Sequence, residues 1–226
     1  MSYFRAIRTI AGKDLRLEFR RRENLTLMGF FTLVILVIFH FSLDFSQLRF
    51  EAVGAGVIWI AVNFAGILAL GNSFRQERDE DCLQGLRLTP VDPSAIYLGK
   101  FAANLVLLVL LELFLVPLIG FLFNYPLGSI WFPIMIVMLI HTVGFSALGT
   151  LFAAITAQTR RGETLLPLLV FPVEIPLIVS ATRSTMTILK GGSLADVTRW
   201  LALTAAFNLL ILAAAVVLFE YILEDS

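Results

Sequence analysis

The sequence predicts an all-α membrane protein that crosses the bilayer about six times. Of its 226 residues, 58% are hydrophobic and only 15% charged, the mean hydropathy is +0.88, and the charges gather between long apolar runs. Soluble domains sit nearer half apolar and a quarter charged. The runs are continuous in Leu, Val, Ile and Phe, without the alternation that a membrane barrel shows.

A helix rises about 1.5 Å per residue, so roughly 20 apolar residues cross a hydrocarbon core about 30 Å thick. Six stretches qualify, at about 25–43, 52–71, 101–123, 130–157, 164–181 and 200–220. Before the first stand 24 mostly polar residues, and no small-x-small cleavage site follows it, so it reads as a signal anchor. Within residues 3–22, Phe4, Ile7, Ala11 and Leu15 recur at helical spacing, while Arg5, Lys13, Arg16 and Arg20 fall on another sector. That pattern predicts a basic amphipathic helix lying on lipid, with Asp14 and Glu18 blurring its apolar face. The fourth run carries Gly149, Ala153 and Ala157 at spacing four, a stripe that lets helices approach closely, within one chain or between two. The whole chain, 1–226, is expected to form one transmembrane domain.

Seventeen basic residues balance 17 acidic ones, so no net charge steers the chain toward nucleic acid. Their placement is informative. Lys and Arg on alternate sides of the six runs total 13 against 4, which by the positive-inside rule puts both termini in the cytoplasm. Trp131 and Trp200 fall at run ends on the outer side, where amphipathic rings prefer the interface.

Several chemistries are excluded by what the chain does not contain. The pairs Gly12-Lys13 and Gly99-Lys100 lack both the earlier glycine and the following Ser or Thr of a phosphate-binding loop. There is no HExxH, no GxSxG and no His/Cys/Asp cluster at metal-ligand spacing, so no catalytic residue, metal or bound cofactor is expected. The single cysteine, Cys82, rules out an intrachain disulfide.

Polar groups inside the runs are few: His40, Asn63, Glu112, His141 and Glu174. Ionisable side chains at this depth usually face protein or water. His40 stands near the outer end of its run, within reach of head groups. Glu174, between Pro172 and Pro176, predicts a bend whose polar group serves either the kink or a pathway. Only six residues separate the third and fourth runs, so Glu112 and His141 lie at one depth on adjacent helices and are expected to meet.

The most distinctive segment is FRQERDEDCLQGLRLTPVDPSAIYLGK at residues 74–100. It is charge-rich, then apolar, then punctuated by Pro90 and Pro93 before the third run. This order looks like the coupling segment of exporters of the ABC-2 type. Together with KDLRLEFRRREN at 13–24 and LLPLLVFPVEIPLIVSA at 165–181, the chain resembles the cytochrome c maturation protein B family, the haem exporter permease, over nearly its whole length.

The resemblance implies a non-catalytic, multi-pass permease of the bacterial inner membrane. It implies a homodimer paired with a separate ABC ATPase subunit, further cytochrome c maturation membrane subunits and a periplasmic haem chaperone. Such a complex spends ATP either on moving haem or another small molecule, or on releasing the loaded chaperone. Since no phosphate loop exists here, a cytoplasmic surface must receive the force. Residues 72–100 offer the length and mixed character to do so, with the contact running from Phe74 to Leu88: Arg75, Glu77, Arg78, Asp79, Glu80 and Asp81 as rim charges, Leu83 and Leu86 as anchors. A secondary transporter or channel would instead require inverted repeats and several intramembrane acids, and a non-transporting scaffold would require neither. Co-purification of an ATP-binding subunit separates these readings.

Overall fold

The structure, a computed structural model, describes residues 2–44, 49–74, 91–157, 159 and 162–224, without the side chains of 162, 163, 223 and 224. Arg75, Glu77, Arg78, Asp79, Glu80, Asp81, Leu83 and Leu86, as well as Cys82, lie outside the described residues.

Among the described residues the chain forms α1 (Tyr3–Arg21), α2 (Glu23–Ser42), α3 (Phe50–Gly71), α4 (Pro93–Leu122), α5 (Trp131–Ala157), α6 (Gly162–Leu189), a short 3-10 turn (Leu194–Val197) and α7 (Thr198–Glu224). All but α1 contribute to six segments long and apolar enough to cross a membrane, the last of which includes the 3-10 turn. The protein is therefore an all-α polytopic membrane protein.

The amphipathic N-terminal helix is present, and α2 follows it after one residue. Arg22 makes that corner in the left-handed conformation (φ 57°), its amide donating to the Glu18 carbonyl at 2.8 Å. The helix also packs against the bundle. Ala6 is buried, and α1 packs along the first turns of α4, where Gly99 admits Ile10. A Cβ at position 99 would stand 2.8 Å from that of Ile10. The remaining surface of α1 divides into an apolar strip with Phe4 and Phe19 exposed and a basic strip with Arg5, Lys13, Arg16 and Arg20 exposed.

Two helix ends differ from the sequence expectation for identifiable reasons. Pro93 was expected to break the chain, yet it opens α4 eight residues before the predicted run. Proline fits the first helical turn, whose N–H groups have no partner anyway, and Asp92 caps the helix by accepting from the Ser94 amide at 2.8 Å. At the other extreme, α6 continues past 181 to Leu189, carrying exposed Arg183 on its last turns. Pro167, Pro172 and Pro176 all lie within this helix. Each removes one backbone donor, but the chain stays α-helical because neighbouring helices pack around it.

α3 and α5 form the centre of the bundle: 72% of the most apolar 18 residues of each are buried, against 17% for α2 and 22% for the last span. α5 packs against α4, α6 and α7, and α3 bridges α2 and α6. The close approach of α3 and α5 depends on Gly66, which receives the Phe145 ring, and Gly149, which receives Leu70. Ala153 and Ala157 are buried in the same core, so the small-residue stripe serves packing within this chain. One apolar cluster, around Leu70, Phe74, Tyr97, Phe145 and Phe219, occupies the end of the bundle near α1. A second, around Phe50, Trp59, Leu115, Met138 and Ile188, fills the opposite half.

Candidate functional site

Between the two apolar clusters lies a layer of polar side chains contributed by five helices. His141 on α5 places Nε2 3.3 Å from Oε1 of Glu174 on α6, both side chains at 1% exposure or less. The two polar groups face each other without an aligned hydrogen bond. The indole of Trp59 on α3 covers the imidazole, ring centroids 4.2 Å apart, and its Nε1 donates to Thr185 Oγ1 at 3.0 Å. Trp59 thus reaches α5 by ring contact and α6 by hydrogen bond.

Glu112 does not meet His141. Its Oε1 accepts a hydrogen bond from Thr142, the next residue along α5. Consecutive helical residues point about 100° apart, so only one of His141 and Thr142 can face α4. Thr142 does, and His141 turns to α6. The depth inferred from the hairpin was right and the facing was not. His40 stands apart from this layer, at the last turn of α2, with Phe41 and Phe123 rings 5.2 and 5.5 Å away.

The layer continues into α7. Asn208 Nδ2 donates to the Ile140 carbonyl at 2.6 Å, entering where Gly144 leaves room on α5. Ser180 on α6 donates to the Trp200 carbonyl at 2.7 Å and shares a hydrogen bond with Thr204. Asn63 is turned back on its own helix, donating to the Trp59 carbonyl. Interhelical hydrogen bonds in lipid contribute on average only about 0.6 kcal/mol each. The His141–Glu174 contact is different in kind, since a buried polar group left without its partner costs about 1–3 kcal/mol.

A second polar cluster sits at the α1 end and was not legible in sequence. Lys100, about two turns into α4, is 2% exposed. Its Nζ donates to Asp14 Oδ2 of α1 at 3.2 Å and to the Ser73 carbonyl just past α3 at 2.8 Å, and stands 4.6 Å from the Phe74 ring centroid. One turn on, Asn104 donates to Ser73 Oγ and to Thr150 Oγ1, both at 2.9 Å. Asn24 donates to the Ala69 carbonyl and accepts from Asn72, joining the start of α2 to the same point. A cavity of about 60 Å³ opens among these groups. At its edge, burial lifts the Glu18 carboxyl above its ordinary value, against an Asn24 hydrogen bond that lowers it. The available signal was Asp14, the acid that spoiled an otherwise apolar face: such a residue needs a cation opposite it.

Phe74 alone of the predicted coupling residues is described, and it is 3% exposed, its ring 6.3 Å from that of Phe219. It roots the charge-rich segment in the bundle at the same cluster. Among the described residues no group of three His, Cys, Asp or Glu side chains is placed to hold a metal ion.

Residues 5–222 match the sequence model of the family described as CcmB protein. Curated relatives bear the name Heme exporter protein B. That of Escherichia coli K12 is 29% identical over 207 residues, covering 89% of this chain and 93% of the relative. That of Pseudomonas aeruginosa is 25% identical, covering 88% and 89%, and that of Rhodobacter capsulatus 26% identical, covering 76% and 79%.

Proposed function

The chain belongs to the CcmB protein family, and from that premise we propose that it is the membrane-spanning subunit of an ABC-type complex in cytochrome c maturation. In this reading a separate subunit hydrolyses ATP, and the present chain converts that work into haem export or into release of a haem-loaded periplasmic chaperone. The match over residues 5–222, with relatives named for haem export, carries the proposal. Six apolar spans and a sequence without a phosphate-binding loop support it.

The charge distribution argues for both termini on the cytoplasmic side of the inner membrane. Residues 74–88 then face the cytoplasm, where they receive the ATPase: Arg75, Glu77, Arg78 and Asp79 pair with charges on the partner while Leu83 and Leu86 fill its groove. The burial of Phe74 against α4 and α7 supports this, because a displaced segment would pull on two spans at its root. A homodimer would supply two such segments to two ATPase copies. The other maturation subunits and the chaperone would act on the periplasmic side.

The two histidines favour chaperone release over passage of haem held by axial ligands. His141 is engaged with Glu174 under Trp59, and His40 is at the far end of another helix.

Reconstitution with the ATP-binding subunit tests the proposal. ATP hydrolysis is expected to respond to haem or to the chaperone. Exchanging the charges at Glu77 and Arg78, or replacing Leu83 and Leu86 by Ala, is expected to leave the protein inserted while detaching the ATPase or uncoupling it. Full association and full cytochrome maturation in these variants would refute the assignment. ATP-independent solute movement by the chain alone would favour a secondary transporter.

A further inference from the structure

Among the described residues Lys100 is the one buried lysine, and it is turned inward onto Asp14 of α1 and onto Ser73 and Phe74 beyond the end of α3. We propose that it is a positioning residue, tying α1 and the root of residues 75–90 to α4 so that displacement of that root moves the third span and the N-terminal helix as one unit. This rests on the reading that residues 74–88 receive force from an ATPase.

The geometry is specific to a cation. A lysine near a helix end ordinarily extends its four methylenes outward to water. Here the ammonium is withdrawn from water and met by a carboxylate, a carbonyl and an aromatic face, each from a different position: Asp14 of α1, Ser73 beyond the end of α3, and Phe74, the last described residue before the charge-rich segment. A carboxylate, a carbonyl oxygen and a ring face are the three kinds of group that attract an ammonium ion.

Stability alone does not account for this arrangement. An apolar side chain of similar volume in place of a buried ion pair is often as stable or more so. What the charge adds is direction: the ammonium fixes where Ser73 and Asp14 sit relative to α4. Two further contacts make the unit rigid. Asn104, on the same face of α4, holds Ser73 Oγ and reaches Thr150 of α5, while Gly99 brings α1 within backbone distance of α4, the Ile7 carbonyl lying 3.2 Å from where a Cβ would stand. The start of α4, the end of α3 and α1 therefore cannot shift independently without stripping a buried charge.

The test uses the full complex in membranes, co-expressed with its ATP-binding subunit. Four quantities are measured: chain inserted, ATPase retained, ATP hydrolysed, and haem covalently attached to a reporter cytochrome. Lys100→Met keeps most of the volume and an unbranched side chain but removes the charge. It is expected to insert and to retain the ATPase, while cytochrome matured per ATP hydrolysed falls about tenfold, as for loss of a charge-assisted contact. Lys100→Arg is expected to restore most of that ratio, and Asp14→Asn to lower it several-fold. A merely structural role would lower the amount of inserted chain and leave the ratio unchanged. An unaltered ratio in Lys100→Met, or equal loss in Lys100→Arg, would overturn the proposal. Should Lys100→Met fail to accumulate, Asp14→Asn decides, and an unaltered ratio there would overturn it too. A wild-type complex that retains no ATPase would overturn both this inference and the coupling role of residues 74–88, whereas a coupled wild type matched by its variants strikes only Lys100.

Discussion

His141 and Glu174 face each other at 3.3 Å across α5 and α6, both buried in the interior of the bundle. Their pairing offsets a desolvation cost that each alone would carry in full.

It follows that the two residues are energetically coupled. Replacing His141 by Ala or Glu174 by Gln is expected to destabilise the detergent-solubilised protein by about 1–3 kcal/mol, because the remaining buried polar group loses its partner. The double replacement should lose less than the sum, with a coupling energy on the order of 1–3 kcal/mol. Thermal unfolding of the four proteins gives this directly, and additive losses would show that the contact carries no pairwise energy.

Gly144 is where α7 gains access to the backbone of α5. A methyl group there would collide with the Asn208 amide, which bonds the Ile140 carbonyl. Gly144→Ala is expected to cost about 1–3 kcal/mol by overpacking. Adding Asn208→Ala should relieve much of that loss. Strict additivity in thermal unfolding would place the strain elsewhere.

The Asp92 cap makes a pH-dependent contribution. Hydrogen bonds from the Ser94 side chain and amide hold its carboxyl below the ordinary value of 3.8. A depressed carboxyl stabilises the folded form fully above its unfolded value, and that contribution is lost as pH falls through the lowered folded value. Asp92→Ala is expected to cost about 1 kcal/mol at neutral pH. Faster amide exchange confined to the first turn of α4 is the measurement, and exchange unchanged from wild type would sink the prediction.

The purified chain alone is expected to bind haem weakly. His141 is committed to Glu174 beneath Trp59, and His40 lies at the end of α2 against Phe123, so the two imidazoles do not converge on one iron. Titration with haem should give no stoichiometric Soret band that disappears on replacing either histidine. Such a band would show that the bundle opens around one of them.

Hydropathy and charge placement sufficed for the number of spans, the amphipathic N-terminal helix and the polar residues that occupy the interior. These follow from the bilayer, which asks the same of every helix: enough apolar length, with charges at its ends. Which polar group meets which is a different matter. Glu112 and His141 share a depth, but the rotation of α5 about its axis turns Thr142 toward Glu112 and His141 toward Glu174, and rotation is set by side-chain packing across several helices at once. The start of α4 eight residues early likewise turned on local geometry, a proline tolerated at a helix N-terminus with an aspartate before it. Lys100 reads in sequence as one more basic residue beside a span. Only the docking of α1 on Gly99 brings Asp14 to it, because two residues 86 positions apart meet through packing that no periodicity along the chain can encode.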